Sequence, residues 1–260
     1  MVYWIKYRGR ILNTKHFFKL ATACCLAFGL MACASAPKEQ AAERDPRDSL
    51  ESFNRAMWEL NYEILDPNLL RPATVGYMAV VPTPARRGVD NFLSNLREPD
   101  SFVNATLQAK PASMAISAGR FLVNSTIGVF GLFDVATKIG LNERREDFGQ
   151  TLAVWGVGEG SFLMVPARGP STIRDTGGDL VDALYSPLGL FNTPLTITRY
   201  VLSGLTQREK AMSMEHLLED SFDPYAFIRE AYLQNRLFEI YDGNPPEQEE
   251  YDDSYLDEFF

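Results

Sequence analysis

Cysteine and histidine are almost absent from the 260-residue chain. The three cysteines, Cys24, Cys25 and Cys33, all lie near the N-terminus, and His216 is the only histidine after residue 16. These numbers exclude a His-based metal cluster and a disulfide framework in the body of the chain. A Ser-His-Asp triad would depend on His216 alone, whose sequence neighbours are typical of an exposed position on a helix. No G-x-S-x-G nucleophile elbow is present either.

Motifs for nucleotide binding and for acid–base catalysis are also missing. The glycines of residues 156–160 are not followed by the Lys-Ser/Thr pair of a phosphate-binding loop. Two apolar runs around a glycine-rich turn instead predict a short hairpin over residues 151–166. Glu146 and Asp147 follow two arginines, so we predict a salt-bridged loop rather than a catalytic carboxylate pair. The sequence therefore predicts neither an enzyme nor a bound cofactor.

Basic residues are scarce outside the N-terminus. The formal net charge is -9, and residues 1–32 carry five bases and no acid, so their removal would leave about -14. A chain this acidic lacks the basic stripes that neutralise nucleic-acid phosphates, which argues against a nucleic-acid partner. Residues 242–260 contain eight acids and no base. They predict a disordered tail that either solubilises the protein or docks a partner.

The N-terminal apolar segment is too short to span a bilayer. Residues 20–32 fall far below the roughly 20 residues of a spanning helix and follow the five bases, as in a secretory signal peptide over residues 1–32. The segment ends in Leu30-Met31-Ala32-Cys33, which resembles a lipobox. Cys33 is therefore predicted to be diacylated, with residues 33–47 as a tether. The absence of an Asp directly after Cys33 favours sorting to the outer membrane.

The rest of the chain contains a series of short helical patterns. They predict a mainly α-helical domain over residues 48–241, with one minor β-hairpin. The first helix is predicted over residues 50–65 and ends at Asp66-Pro67. A second helix ends at Glu98-Pro99, and a third runs from Pro111 to about residue 121. Three further helices are predicted to begin at Thr172 with Asp175, at Thr193-Pro194 and at Asp223-Pro224. Gly177, in the apolar stripe after Thr172, is predicted to permit close helix contact.

Two apolar segments allow alternative interpretations. The first helix is apolar on two faces, so it is either sandwiched in a core or meets lipid with Trp58 and Tyr62 as interfacial anchors. Residues 121–133 carry no charge and are interrupted by two glycines. They form either a buried core loop or a segment lying in one leaflet. In the second case Asn124 and Thr126 would line a cavity or satisfy backbone groups.

Five ordered blocks between about residues 48 and 236 resemble the VacJ/MlaA lipoproteins. These blocks are Ser49-Leu50-Glu51-Ser52-Phe53-Asn54-Arg55, Asp66-Pro67 with Arg71-Pro72, Asn95-Leu96-Arg97-Glu98-Pro99, Glu146-Asp147-Phe148-Gly149-Gln150-Thr151-Leu152 and Gly169-Pro170-Ser171-Thr172-Ile173-Arg174-Asp175. The resemblance implies a ring-shaped helical protein embedded in the inner leaflet of the outer membrane. It also implies an amphipathic channel that extracts outer-leaflet phospholipids and passes them to a periplasmic carrier of the Mla pathway. Association with a trimeric porin is implied as well.

Several site residues follow from this resemblance. Arg199 is the only charged residue between Pro194 and Leu205, and it is our candidate for a cation that contacts lipid head groups in the channel. Thr196 and Tyr200 are candidate channel neighbours, and Phe130 and Phe133 are candidate membrane-interface residues. Alternatively, Arg199 snorkels toward leaflet phosphates or pairs with a surface acid. The competing functions are a membrane-surface phospholipase and a purely structural outer-membrane lipoprotein.

Overall fold

The computed structural model describes residues 45–185 and 193–246. The signal peptide, the predicted anchor Cys33, most of the tether and residues 247–260 lie outside the described residues. The predictions made for them remain predictions.

The described residues form a mainly helical fold with one two-stranded antiparallel sheet, which confirms the predicted fold class. In chain order the elements are α1 (Glu51–Trp58), a π-helical segment (Glu59–Leu70), α2 (Arg71–Val80), α3 (Thr83–Asn95), α4 (Glu98–Leu107), α5 (Pro111–Thr126), α6 (Val135–Lys138), α7 (Phe148–Val154), β1 (Phe162–Val165), β2 (Gly169–Thr172), α8 (Ile173–Tyr185), α9 (Thr193–Met212), α10 (Glu215–Glu219) and α11 (Pro224–Ile240). Within these ranges, none of the helices has the length and apolarity needed to cross a bilayer.

The prediction that Asp66-Pro67 stops the first helix is wrong. The chain stays helical through Pro67, because the wider turns of the π-helical segment take up a residue that lacks an N–H donor. Arg208 on α9 also holds this turn, since its guanidinium donates to both oxygens of Asp66 at 2.6 and 2.7 Å. The break at Glu98-Pro99 is confirmed, and Pro99 lies in the first turn of α4. Pro111 begins α5 as predicted, and α5 continues to Thr126.

The predicted hairpin is displaced along the sequence. Phe162 pairs with Thr172 and Val165 with Gly169, whereas the apolar run before the glycines forms the end of α7. Gly156 ends that helix with a φ of 88°, and Val157 N–H donates to the Leu152 carbonyl at 2.9 Å. This is a Schellman-type helix end, which satisfies the last carbonyls of α7.

Two asparagines of the first helical stretch cover the outer edge of β1. The Asn54 amide donates to the Phe162 carbonyl at 2.9 Å and accepts from Met164 N–H at 2.9 Å. Asn61, two turns further on, makes the same pair of bonds with the Val165 carbonyl and Ala167 N–H, at 2.9 and 2.7 Å. The open edge of a strand exposes unpaired backbone groups, and these side chains satisfy them.

The hairpin, α1 and α11 enclose a small apolar core. It consists of Phe162, Met164, Tyr225 and Leu233, with Met57, Trp58, Tyr62, Ile228 and Tyr232 packed around it. The predicted helix starts on either side are confirmed, since the Asp175 N–H donates to the Thr172 hydroxyl and the Ala226 N–H to the Asp223 carboxylate.

The Gly177 prediction needs correction by one residue. A Cβ at Gly178 would lie 2.4 Å from the Gly149 nitrogen, whereas Gly177 has open space around it. The close contact between α7 and α8 therefore depends on Gly178.

We expect Asn54→Ala to lower the free energy of unfolding by about 2–3 kcal/mol, because it leaves buried backbone groups of β1 unsatisfied. Asn68→Ala is the matched control: Asn68 is exposed, and its amide donates only to the Ile64 carbonyl of its own helix. Denaturant unfolding in detergent measures both variants. Equal stability of the two would show that the asparagine bonds to β1 do not stabilise the fold.

Candidate functional site

The described residues show an inverted distribution of polarity. Seven hydrophobic side chains are buried, compared with 22 polar or charged ones, while 33 large hydrophobic side chains are exposed. Exposed apolar residues are common in any protein, but buried polar groups are informative because each must find a partner. The described part of the chain thus has a polar interior beneath a largely apolar exterior.

The pair α4 and α5 shows this inversion most directly. On α5 the buried residues are Ser113, Ser117, Arg120 and Asn124, which recur at helical spacing along one face. On α4 the buried residues are Glu98, Ser101, Asn104 and Ala105. Phe102, Val103, Leu107, Phe121 and Leu122 are exposed on the same two helices. The two helices therefore pack through their polar stripes.

Helix α8 repeats the arrangement. Arg174 and Asp175 are buried, whereas Ile173, Leu180 and Leu184 of the apolar stripe are exposed, Leu184 by 86%. A stripe of this kind normally faces the core of a soluble protein. In this chain it faces outward.

Arg120 is the centre of the first buried charge network. It is 2% exposed, and its Nε lies in very close contact with the Glu98 carboxylate. Its Nη1 donates to the Thr137 hydroxyl at 2.9 Å and to the Leu141 carbonyl at 2.7 Å, and its Nη2 lies 3.5 Å from Asp134. Burial raises the pKa of Glu98 to about 7, against the opposing effect of the guanidinium.

Arg236 on α11 is the centre of a second network. Its two terminal nitrogens bind both oxygens of Asp147 at 2.6 and 2.7 Å, and Nη2 also reaches Asp175 at 3.0 Å. Burial raises the pKa of both carboxyls, but the guanidinium more than compensates, so both pKa values lie below the usual range. Both acids of the predicted salt-bridged loop do form salt bridges, but the expected partners, Arg144 and Arg145, are wrong. Glu146 pairs with Lys110 at 3.2 Å and Asp147 with Arg236, because both acids are directed away from the preceding arginines.

A cleft of about 210 Å³ opens beside Arg120, and we call it the polar cleft. It lies between α3, α5, α9 and the residues that flank α6 on both sides. Its lining contains four cations and three carboxylates, with two neutral polar residues: Asp90, Asn91, Ser94, Arg97, Arg120, Asp134, Glu143, Arg145 and Lys210.

An apolar turn follows α5, and we define it as residues 127–133. Val129, Phe130 and Gly131 have φ values of 53°, 57° and 88°, a left-handed conformation that costs energy for the first two. Phe130 is 75% exposed and Phe133 is 59% exposed. The turn therefore presents apolar side chains outward on a strained backbone.

The structure places the predicted interface residues in two different settings. Trp58 and Tyr62 stack on each other with ring centroids 3.9 Å apart and pack against the apolar core, so their contact with lipid remains a prediction. Phe130 and Phe133 point outward from the apolar turn, in the setting that the leaflet interpretation requires.

The predicted cavity residues are not brought together into one site. Asn124 is buried and structural, since its Oδ1 accepts from Val135 and Ala136 N–H at 2.9 Å. Thr126 is exposed and donates to the Leu122 carbonyl of its own helix at 2.6 Å. His216 is exposed on α10, as predicted.

Arg199 and its neighbours lie on a largely exposed part of α9. The Arg199 guanidinium carbon is 4.7 Å from the Tyr200 ring centroid, and Tyr200 is 61% exposed. Thr196 is partly buried. Arg199 forms no ion pair with the residues that the structure describes, so the predicted pairing with a surface acid is not observed there.

Sequence reasoning missed the polar stripe of α5 and the polar cleft. A signal for the stripe was present, because Ser113, Ser117, Arg120 and Asn124 repeat at intervals of four, three and four residues in an otherwise apolar helix. The cleft has no comparable signal, since its lining comes from five separate stretches of the chain.

These features define a helical protein with a polar interior, an apolar exterior and no membrane-spanning helix within the described ranges. Residues 46–239 match the MlaA lipoprotein family. The chain belongs to this family.

Named relatives support the same assignment. The chain is 39% identical over 223 residues to the intermembrane phospholipid transport system lipoprotein MlaA of Shigella flexneri, covering 85% of this chain and 88% of the relative. It is 34% identical to the Haemophilus influenzae protein of that name, covering 89% and 94% of the two chains. A solved structure described as the structural basis for maintenance of bacterial outer membrane lipid asymmetry is 40% identical. It aligns with a TM-score of 0.69 over 77% of this chain and 100% of the solved one.

We expect Phe130→Asn to weaken membrane binding without loss of thermal stability. Asparagine tolerates the left-handed conformation better than phenylalanine, whereas loss of the ring removes about 1.5–3 kcal/mol of apolar burial in lipid. Phe130→Leu is the control, because it keeps an apolar side chain. Vesicle flotation in a Cys33→Ser background removes the predicted anchor and measures the partition. Equal flotation of both variants would mean that the turn does not enter lipid.

Proposed function

We propose that this chain is an outer-membrane lipoprotein that removes phospholipids from the outer leaflet and passes them to a periplasmic carrier. The membrane then keeps its lipid asymmetry. Family membership supports this proposal, since relatives from Shigella flexneri and Haemophilus influenzae are named as lipoproteins of an intermembrane phospholipid transport system.

The inverted polarity of the fold is the observation that carries the proposal. An apolar exterior is stable when it faces acyl chains, and a polar interior gives a charged head group a path that avoids hydrocarbon. None of the described helices combines the length and the apolarity needed to cross a bilayer. The body is proposed to lie in one leaflet, with its apolar side chains against the acyl chains. Helices that pack through polar stripes, such as α4 and α5, suit this position.

The proposed mechanism is passive. The phospholipid enters with its head group along buried polar residues and its acyl chains along apolar walls, so the polar and apolar parts of the lipid remain solvated throughout. The proposed driving force is the higher free energy of a phospholipid in the outer leaflet, which falls when the lipid leaves that leaflet. The chain contains no phosphate-binding loop for a nucleotide.

The proposal includes a lipid anchor and two protein partners. Cys33 would carry the acyl chains, residues 33–47 would connect them to the body, and the protein would occupy the periplasmic leaflet. A trimeric porin is proposed as a lateral partner, supported by exposed side chains such as Val80 and Leu184 that need an apolar environment. The carrier would receive lipid on the periplasmic side.

The test is complementation of a Gram-negative host that lacks its own family member. We expect the chain to restore a low level of outer-leaflet phospholipid, measured as lipid accessible to externally added phospholipase. Mass spectrometry of the detergent-extracted protein should detect intact phospholipid. Conversion of that lipid to lysolipid by the purified chain would instead indicate a phospholipase. Unchanged asymmetry would indicate a purely structural lipoprotein.

Arg199 remains our candidate for a cation on the lipid path. We expect Arg199→Glu to impair restoration of asymmetry, because a carboxylate repels the lipid phosphate, and Arg199→Lys largely to preserve it. Both variants are compared at matched expression and membrane insertion. Full restoration by Arg199→Glu would remove Arg199 from the path.

A further inference from the structure

The polar cleft is smaller than a pocket for a whole lipid. Its volume of about 210 Å³ falls below the roughly 300–1,000 Å³ of pockets that enclose a drug-sized ligand. A ligand of the size of a phospholipid head group fits a space of this order, whereas two acyl chains do not.

Three of the four lining cations already have carboxylate partners. Arg120 is paired with Glu98, Lys210 lies 2.7 Å from Asp90, and Arg145 lies 3.7 Å from Glu143. Arg97 is the exception. It is partly buried between α3 and α4, and it makes no side-chain hydrogen bond or ion pair within residues 45–185 and 193–246.

An unpaired, partly buried guanidinium is suited to bind an anion. Desolvation of an arginine is costly unless a counter-charge is present, and its planar donors match a phosphate better than any other anion except a carboxylate. Both nearby cation–carboxylate pairs are partly exposed, so their carboxylates are accessible to a second cation. The cleft thus offers one free cation beside accessible carboxylates, an arrangement that is complementary to a zwitterion.

The polar cleft shares a border with the apolar turn. Asn91, which lines the cleft, donates to the Leu132 carbonyl at 3.1 Å, and Asp134 directly follows Phe133. Gly131 lies against Asn95 on α3, because a Cβ there would be 2.6 Å from the asparagine side chain. The polar cleft and the exposed Phe130 of the apolar turn are therefore neighbours. A ligand that contacts both must have a charged part and an apolar part.

From this juxtaposition we infer that the polar cleft binds the zwitterionic head group of a phospholipid, with Arg97 as the phosphate ligand. Glu143 and Asp90 lie where they can attract the ammonium group, and the acyl chains run over the apolar turn. This inference rests on the proposed phospholipid transport and assigns it a head-group site.

The experiment measures binding to the full processed chain in detergent by native mass spectrometry. The probes are dioleoyl phosphatidylethanolamine, glycerophosphoethanolamine, inorganic phosphate and dioleoylglycerol. Arg97→Gln is compared with Arg97→Lys and with the control Arg87→Gln, which removes an exposed arginine of α3 outside the cleft. We expect Arg97→Gln to raise the apparent Kd for the phospholipid about tenfold or more. Arg97→Lys should keep part of the affinity, and Arg87→Gln should match the wild type.

Other results would overturn the inference. Equal phospholipid affinity of Arg97→Gln and Arg87→Gln would exclude Arg97 as the phosphate ligand. Equally tight binding of inorganic phosphate or glycerophosphoethanolamine would assign the cleft to a soluble phosphate, and equally tight binding of dioleoylglycerol would exclude recognition of the head group. If Arg97→Gln does not fold, Arg97→Lys is the deciding variant: a phospholipid affinity equal to that of the wild-type chain would exclude the Arg97 guanidinium as the phosphate ligand, because lysine lacks its planar set of donors. The complementation test is independent, so a wild-type chain that restores asymmetry keeps the proposed function even when this site fails.

Discussion

The burial of Arg120 ties several segments of the structure together. A guanidinium removed from water is tolerated only when its charge is neutralised and its N–H groups find acceptors. Glu98 on α4 supplies the charge, and Thr137 and the Leu141 carbonyl supply acceptors after α5. These partners lie on separate segments. If α5 moved away from either of them, the buried Arg120 guanidinium would lose its counter-charge or its hydrogen-bond acceptors. One residue thus fixes the register of α4 against α5 and positions the segment that lines the polar cleft.

Helices that pack through polar stripes do not depend on the hydrophobic effect for their association. When the surroundings are acyl chains, apolar faces gain little by meeting one another, and directed hydrogen bonds together with close backbone contact hold helices in place. Both devices are present. Thr151 on α7 donates to Asn104 on α4 at 2.9 Å, and Gly178 allows α8 to approach the backbone of Gly149. In the proposed leaflet position, the exposed Leu180 and Leu184 would face acyl chains.

The sequence was sufficient where local chemistry decides the outcome. Proline at Pro111 and the caps at Thr172 and Asp223 act within a few residues, so the helix starts they predict are confirmed. The sequence did not predict local structure that depends on residues far away along the chain. The chain passes through Pro67 as a π-helix, and Asp147 turns to Arg236, 89 residues away. Apolar periodicity located the helical faces but not their direction, because the rule that apolar faces point inward assumes water outside.

The fold combines this inverted part with a conventional one. The hairpin and α11 bury Phe162, Met164 and Tyr225 as a water-soluble protein would, and Arg236 on α11 joins that core to α7 and α8 through Asp147 and Asp175. The ion pairs on this side are short and share one guanidinium, so separating the helices would break several charge contacts at once. Two ion pairs of the polar cleft are instead partly exposed: Lys210 with Asp90 at 2.7 Å and Arg145 with Glu143 at 3.7 Å. On the proposed lipid path, the partly exposed ion pairs of the cleft can exchange partners with an incoming charged group, whereas the Arg236 network holds α7, α8 and α11 together.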